Sequence, residues 1–350
     1  MSSNYRNNYI SIAKAIGIIL MVIGHSGCPS IISRFIYLFH MPLFFVCSGY
    51  FFKEILDKNS LLYFYKRRIN HLYFPYLKWS FLFLLLHNLF YYTYISPKSP
   101  YILDDYIKQL PIIIFMTDFE LLLRPFWFIK ALVISSILVA SLSFLRNTIF
   151  TRLSNESMLF ILLLFTLICK YLIINLPLLG DISIITLSSA YLYLGILFQE
   201  YENCIPLRIS TAAIMFTTIV LGNALFVGTI DMRYTTTYSI IPYFILSIFG
   251  ILTTYYISQR LEFISYLNKC LHYIGNHTMP IFVLNLLSLK IGSLFKVWIY
   301  KMPTEAISSY PIIFDHNDCF WIIYTIIGVT IPLLIEASYL HIIKKIKNYF

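Results

Sequence analysis

The chain has 350 residues, 59% of them apolar and 12% charged, with a mean hydropathy of +0.76 and a formal net charge of +10. A soluble domain of this size cannot hide so much hydrocarbon, because its surface must be largely polar or charged; an ordinary soluble fold is excluded. The positive balance reads as Lys and Arg gathered in loops on one side of a membrane, so no nucleic-acid partner is expected.

Apolar runs able to cross about 30 Å of hydrocarbon recur along the whole chain. They are continuous, as in Leu159–Cys169 and Ile322–Ile335, and do not alternate as the strands of a membrane barrel do. The fold class expected is therefore all-α, a polytopic transmembrane helical bundle of about ten spans. Residues 1–350 read as a single domain with no appended soluble domain. In chain order the helices fall at 10–26, 31–52, 73–95, 126–145, 157–176, 183–199, 208–227, 237–258, 278–299 and 319–342. Turn chemistry at Cys28-Pro29-Ser30, Ser96-Pro97-Lys98, Leu179-Gly180-Asp181 and Gly228 separates them. The first run carries Lys14 and lacks a small-x-small cleavage site, which favours a retained helix over a signal peptide. Leu110–Met116 is apolar but too short to span and reads as interfacial or re-entrant. Six scattered cysteines without C-x-x-C spacing suggest neither a disulfide framework nor a metal site.

An even number of spans puts both termini on one side. With the termini cytoplasmic, the inner segments hold Arg6, Lys53, Lys58, Lys66, Arg67, Arg68, Arg146, Arg152, Arg208, Arg260, Lys269, Lys344, Lys345 and Lys347. The outer ones hold Arg34, Lys98, Lys108, Arg124, Arg233 and Lys301, and that asymmetry orients the chain.

Ionisable residues inside spans are costly and mark functional sites. Lys14 and His25 lie eleven positions apart on one helix, hence on nearly the same face, roughly 16 Å apart along the axis. Lys14 snorkelling to the headgroups, with His25 at the outer interface, is the plainer alternative. His40 lies inside the second span beside Pro42, which should distort the helix, while Ser48 and Gly49 offer a small surface for close packing. Two imidazoles on adjacent helices point to a polar pocket, and imidazole suits removal of a proton from a hydroxyl near neutral pH. The basic run Lys66-Arg67-Arg68, followed by His71, is topogenic or lipid-binding, or else suits a phosphorylated, adenine-bearing donor. Trp127 is an interfacial anchor or a sugar-stacking surface. Lys130 and Lys290 are placed to line a cavity, and Glu336 to pair with one of them. Asp118, Glu120 and Arg124 meet an acceptor or are simply solvated. Lys78 and Lys170 read as snorkelling.

These segments resemble acyltransferase family 3, in particular its fucose 4-O-acetylase-like branch. The resemblance rests on the run Tyr9–His25 and on Phe39-His40-Met41-Pro42-Leu43-Phe44-Phe45 with Ser48–Phe52. It also rests on Lys66-Arg67-Arg68 with Leu72 and Pro75-Tyr76, on Phe126-Trp127-Phe128-Ile129, and on Ile274–Phe282. It implies transfer of an acyl group, usually acetyl, from cytoplasmic acetyl-CoA to a carbohydrate hydroxyl, in a multi-pass protein of the bacterial inner membrane. The implied partners are acyl-CoA, a surface glycan or undecaprenyl-linked oligosaccharide, and membrane lipids, with no permanently bound cofactor and no metal. By position it implies His25 as the catalytic imidazole, Arg68 in the donor-binding motif and Lys14 as the membrane cation; together with the reading of the other residues, the site expected has His25, His40 and Lys14 as the catalytic set. Arg6, Lys66, Arg67, Arg68 and His71 would hold the donor, and Trp127, Lys130 and Glu120 the acceptor. Three positions depart from the family pattern: Ser11 where Asp is common, His71 in place of a second Arg, and Asn285 in place of His. Two other classes share the polytopic form. A glycolipid or solute transporter or flippase is expected to show paired halves with interrupted helices; a polysaccharide polymerase should carry a larger outer loop than residues 96–125.

Overall fold

The computed structural model describes residues 8–172, 179–205, 208–225, 231–314 and 319–347. Among them the ordered elements are all helical. The helices, in chain order, are α1 Asn8–His25, α2 Ser30–Tyr37, α3 His40–Tyr50, α4 Lys58–Arg68, α5 Phe74–Leu85, α6 His87–Tyr92, α7 Leu103–Ile114 and α8 Trp127–Thr148. They continue with α9 Asn155–Leu172, α10 Leu179–Tyr201, α11 Ile209–Leu225, α12 Ile240–Leu261, α13 Ser265–Asn276, α14 Thr278–Tyr300 and α15 Phe320–Lys347. Eight segments among the described residues are helices long and apolar enough to cross a membrane; one of them, Ser30–Tyr50, joins α2 to α3. Of the ten expected spans, the seventh corresponds to the shorter apolar helix α11. The third is divided at Leu86 into α5 and α6.

Three departures from the expected pattern have local causes. The basic run 66–68 is not loop but the last turn of α4, whose start is fixed by a capping box between Asp57 and Ser60. A π-helical turn at Ile69–Tyr73 then carries the chain directly into α5. The second span breaks at Leu38–Phe39 because Pro42 has no N–H to offer the Leu38 carbonyl. At the break the Ile36 carbonyl accepts the Phe39 amide at 3.2 Å and, from the His40 imidazole, Nδ1–H at 2.9 Å. The segment Leu110–Met116 lies mostly within α7, which packs on α5. There the Tyr73 and Tyr76 hydroxyls donate to the Ile114 and Ile113 carbonyls.

Helix α1 is the centre of the bundle, packed against α2, α3, α12, α13, α14 and α15. Hydrophobic attraction between helices is weak in lipid, so close backbone approach matters more than it does in water. The α3–α10 contact uses it on both sides: a Cβ on Gly49 would strike the Leu192 carbonyl, and one on Gly195 would strike Val46. A methyl added there forces the helices apart at about 1–3 kcal/mol. Gly49→Ala should therefore lower the thermal unfolding temperature in detergent, whereas Gly24→Ala, which meets only the Tyr37 ring at ordinary contact distance, should leave it unchanged.

Candidate functional site

Two cavities meet end to end beside α1. The first, of about 470 Å³, is lined by Lys14 and Ile18 of α1, by Phe44, Cys47 and Ser48 of α3, and by Arg67, Arg68 and His71 around the π-turn. The second, of about 230 Å³, contains His25, Tyr37, His40, Arg124, Trp127, Asp231, Arg233, Tyr234 and Tyr310. Met21, Met41 and Phe282 line both, so they form the partition between them. The eleven-residue spacing of Lys14 and His25 thus becomes physical: one face of α1 presents its cation to one chamber and its imidazole to the next.

In the first chamber Lys14 is half-buried, and among the described residues no carboxylate lies within ion-pair distance of it. Arg68 Nη2 donates to Ser48 Oγ at 3.2 Å, and its guanidinium lies 5.1 Å from the centre of the Phe64 ring. Burial lowers the Arg68 pKa to about 10, with a further push from Arg67, which still leaves it charged at neutral pH. His71 Nδ1 donates to the Arg67 carbonyl at 2.9 Å. A π-turn often marks a functional position because it offsets side chains from the regular helical register. Here it stands between the two arginines and the span that follows. Lys66 is exposed and outside the lining, and Arg6 lies outside the described residues.

In the second chamber His40 is buried, and a carbonyl partner on Nδ1 fixes the proton there, leaving Nε2 as the nitrogen that accepts. The Tyr37 ring meets the imidazole edge to face, with centroids 5.1 Å apart. His25 ends α1 in the same chamber. Trp127 opens α8 and carries the Arg233 guanidinium 5.4 Å from its ring centre. Beyond Trp127 a smaller cavity of about 120 Å³ shares Arg124, Trp127 and Arg233 with this chamber and adds Lys130. Lys130 Nζ is paired with Asp181 at 2.7 Å.

Glu120 is placed away from both chambers. Its Oε2 is 3.1 Å from His87 Nδ1, while His87 Nε2 donates to the Ser99 carbonyl at 3.0 Å. The His87 ring stacks on Tyr101 at 3.5 Å, and both partners of the pair are buried. The pair fastens the segment before α8 to α6, a structural duty. Lys290 is also occupied: its ammonium donates to the Ile307 and Ser309 carbonyls and lines a separate lateral cavity, so it is not a partner for Glu336. Ser11 donates to Asn276 Oδ1 at 3.3 Å. Asn285 is fully buried, has no partner on either amide atom among the described residues, and is not among those lining the chambers.

Sequence reasoning passed over His87, Asp231, Tyr37, Tyr310 and the Met21–Met41–Phe282 partition. His87 carried the signal of any histidine inside an apolar run. The loop residues gave none, because only folding brings residues 231–234 and 310 to His25.

The family profile of acyltransferase family 3, described as an acyltransferase domain, matches residues 7–337. No curated protein and no solved structure matches the chain.

Breaking the buried His87–Glu120 pair from one side should cost about 3–5 kcal/mol, because the remaining group loses its partner in an apolar setting. His87→Leu and Glu120→Leu alone should each lower the unfolding temperature in detergent. The double variant should recover most of that loss, measured as a double-mutant cycle.

Proposed function

The chain belongs to acyltransferase family 3, and from that premise we propose that it moves an acyl group, acetyl by family expectation, from cytoplasmic acyl-CoA to a sugar hydroxyl. The acceptor is a bacterial cell-surface polysaccharide or its lipid-linked precursor, and the membrane is the bacterial inner membrane. The observation that carries this reading is the pair of abutting chambers on one face of α1, one cationic and one with two imidazoles.

In this reading Arg67, Arg68 and His71 take the coenzyme A phosphates, where an arginine fork suits phosphate and a flat guanidinium suits a base. The pantetheine arm extends along α1 past Lys14, over the roughly 16 Å that eleven helical residues supply. Its thioester then sits at the partition, within reach of the second chamber. His25 removes the proton from the acceptor hydroxyl as the oxygen attacks the thioester carbonyl. The C–S bond breaks, the sulfur takes up a proton from the imidazolium, and an ester and free coenzyme A result. His40, with its Nδ1 proton held by Ile36, is oriented to support His25 or the acceptor through Nε2. A transient acyl group on His25 uses the same geometry.

The test is transfer of label from acetyl-CoA into glycan by membranes that contain the protein. His25→Ala should lower the rate by roughly 10²- to 10⁴-fold while leaving the unfolding temperature unchanged; retention of transfer would remove the assignment. Arg68→Gln and Lys14→Met should mainly raise the KM for acetyl-CoA, by about tenfold each, through loss of a charge-assisted contact.

A further inference from the structure

The His25 chamber opens between two arginines. Arg124, in the 3-10 turn before α8, and Arg233, in the segment before α12, both line this chamber and the smaller cavity outside it. Among the described residues the acids near them have contacts of their own. Asp181 pairs with Lys130 at 2.7 Å. Asp118 accepts from the Phe119 amide, and Asp231 from the Arg233 and Tyr234 amides. Among the described residues neither arginine has a carboxylate within ion-pair distance. Among the described residues Asp231 is the one acid lining the His25 chamber; burial raises its pKa, while its bonds to the Arg233 and Tyr234 amides and the Arg233 charge hold it down.

The rest of the wall suits a sugar. Tyr37, Trp127, Tyr234 and Tyr310 line the same chamber as the two arginines, and aromatic faces accept the apolar side of a pyranose ring. Arg233 rests over Trp127 and Tyr234, at 5.4 and 5.5 Å from their ring centres, so its position is set by cation–π contact and its N–H groups remain for a ligand. Burial raises the Tyr310 hydroxyl's pKa, and the Arg124 charge opposes that rise. Two exposed arginines lining one chamber, with no ion pair to either among the described residues, match an oxyanion held by fork-like hydrogen bonds.

We propose that Arg124 and Arg233 form an oxyanion clamp that selects a glycan acceptor bearing a carboxylate or phosphate near the hydroxyl to be acylated. The clamp rests on the acyl-transfer reading above and adds to it the chemical class of the acceptor. The oxyanion has two possible sources, the carboxylate of an acidic sugar and the phosphate that joins a glycan to its lipid carrier. Both place a negative charge where the clamp meets the outer mouth, while the hydroxyl extends inward to His25.

The experiment uses membranes holding the full chain, labelled acetyl-CoA, and solubilised glycan of the host as acceptor. Labelled glycan is run on anion exchange before and after mild acid, which cleaves the lipid diphosphate, and again after carboxyl reduction. Label in an anionic fraction that stays anionic after mild acid and becomes neutral on carboxyl reduction supports an acidic sugar. Label that becomes neutral on mild acid supports the carrier phosphate. The double variant Arg124→Gln with Arg233→Gln should raise the KM for the glycan by about tenfold or more, leaving the KM for acetyl-CoA unchanged; Arg→Lys at both positions should restore part of the loss. Label on neutral glycan in the wild type, or an unchanged glycan KM in the double variant, overturns the clamp while leaving acyl transfer standing. Absence of any transfer in the wild type overturns the acyl-transfer reading and the clamp together.

Discussion

A charged side chain inside hydrocarbon must be enclosed by protein, and the enclosure of α1 is the constraint on which the bundle depends. Lys14 and His25 cannot face lipid, so the helix that carries them is surrounded by six others. Ile10, Ile12, Ala13, Ala15, Ile18 and Val22 are buried among those neighbours. The remaining face opens on the two chambers. Helices further out can then be apolar on their outer sides, as the many exposed Ile, Leu and Phe side chains of α9, α11 and α15 are. The composition that first pointed to a membrane is thus the outer half of an arrangement whose inner half is the pair of chambers that take the polar residues of α1.

Enclosure by helices in lipid requires close approach. Gly49 and Gly195 bring α3 against α10, and Gly275 brings α13 onto the Ser11 carbonyl of α1. The second of these contacts bears on a departure from the family pattern. Ser11 is buried at that joint and donates to Asn276, so position 11 stitches α1 to α13. The carboxylate that is common at this position would bring a charge into the same joint. With Ser at this position, Lys14 has no acid within ion-pair distance among the described residues, and the proposed anionic donor would meet that charge unpaired.

The sequence made the bundle legible because the hydrocarbon thickness sets span length, and it made the α1 constellation legible because helical periodicity is local. Lys14, His25, His40, Arg67, Arg68 and Trp127 were each recognisable as a costly or shaped residue in a span or beside one. Whether a polar residue faces the chambers or a neighbour depends on tertiary contacts. Glu120 and Lys130 looked alike in sequence, yet one is turned to His87 and the other to Asp181 at the edge of the outer cavity. Helix breaks were hidden for the same reason. Pro42 announced a distortion, but its use, a break at which the His40 imidazole shares the Ile36 carbonyl with the Phe39 amide and so fixes its tautomer, required the position of Ile36 in space.

The partition between the chambers is the least conspicuous part of the site and has a chemical consequence. Met21, Met41 and Phe282 are apolar, and Phe282 is held against Phe126 and Phe128 by ring contacts at 5.9 and 5.7 Å. A wall of that kind offers water no hydrogen-bond partner, while unbranched methionines can shift to admit a narrow apolar group. A thioester is open to hydrolysis wherever water reaches it beside a base. In the proposed acyl transfer, imidazoles beyond an apolar wall would keep the base apart from a thioester donor until the acyl group enters from one side and the hydroxyl from the other. On that reading the crossing of the bilayer and the transfer of the acyl group would be one event at the partition.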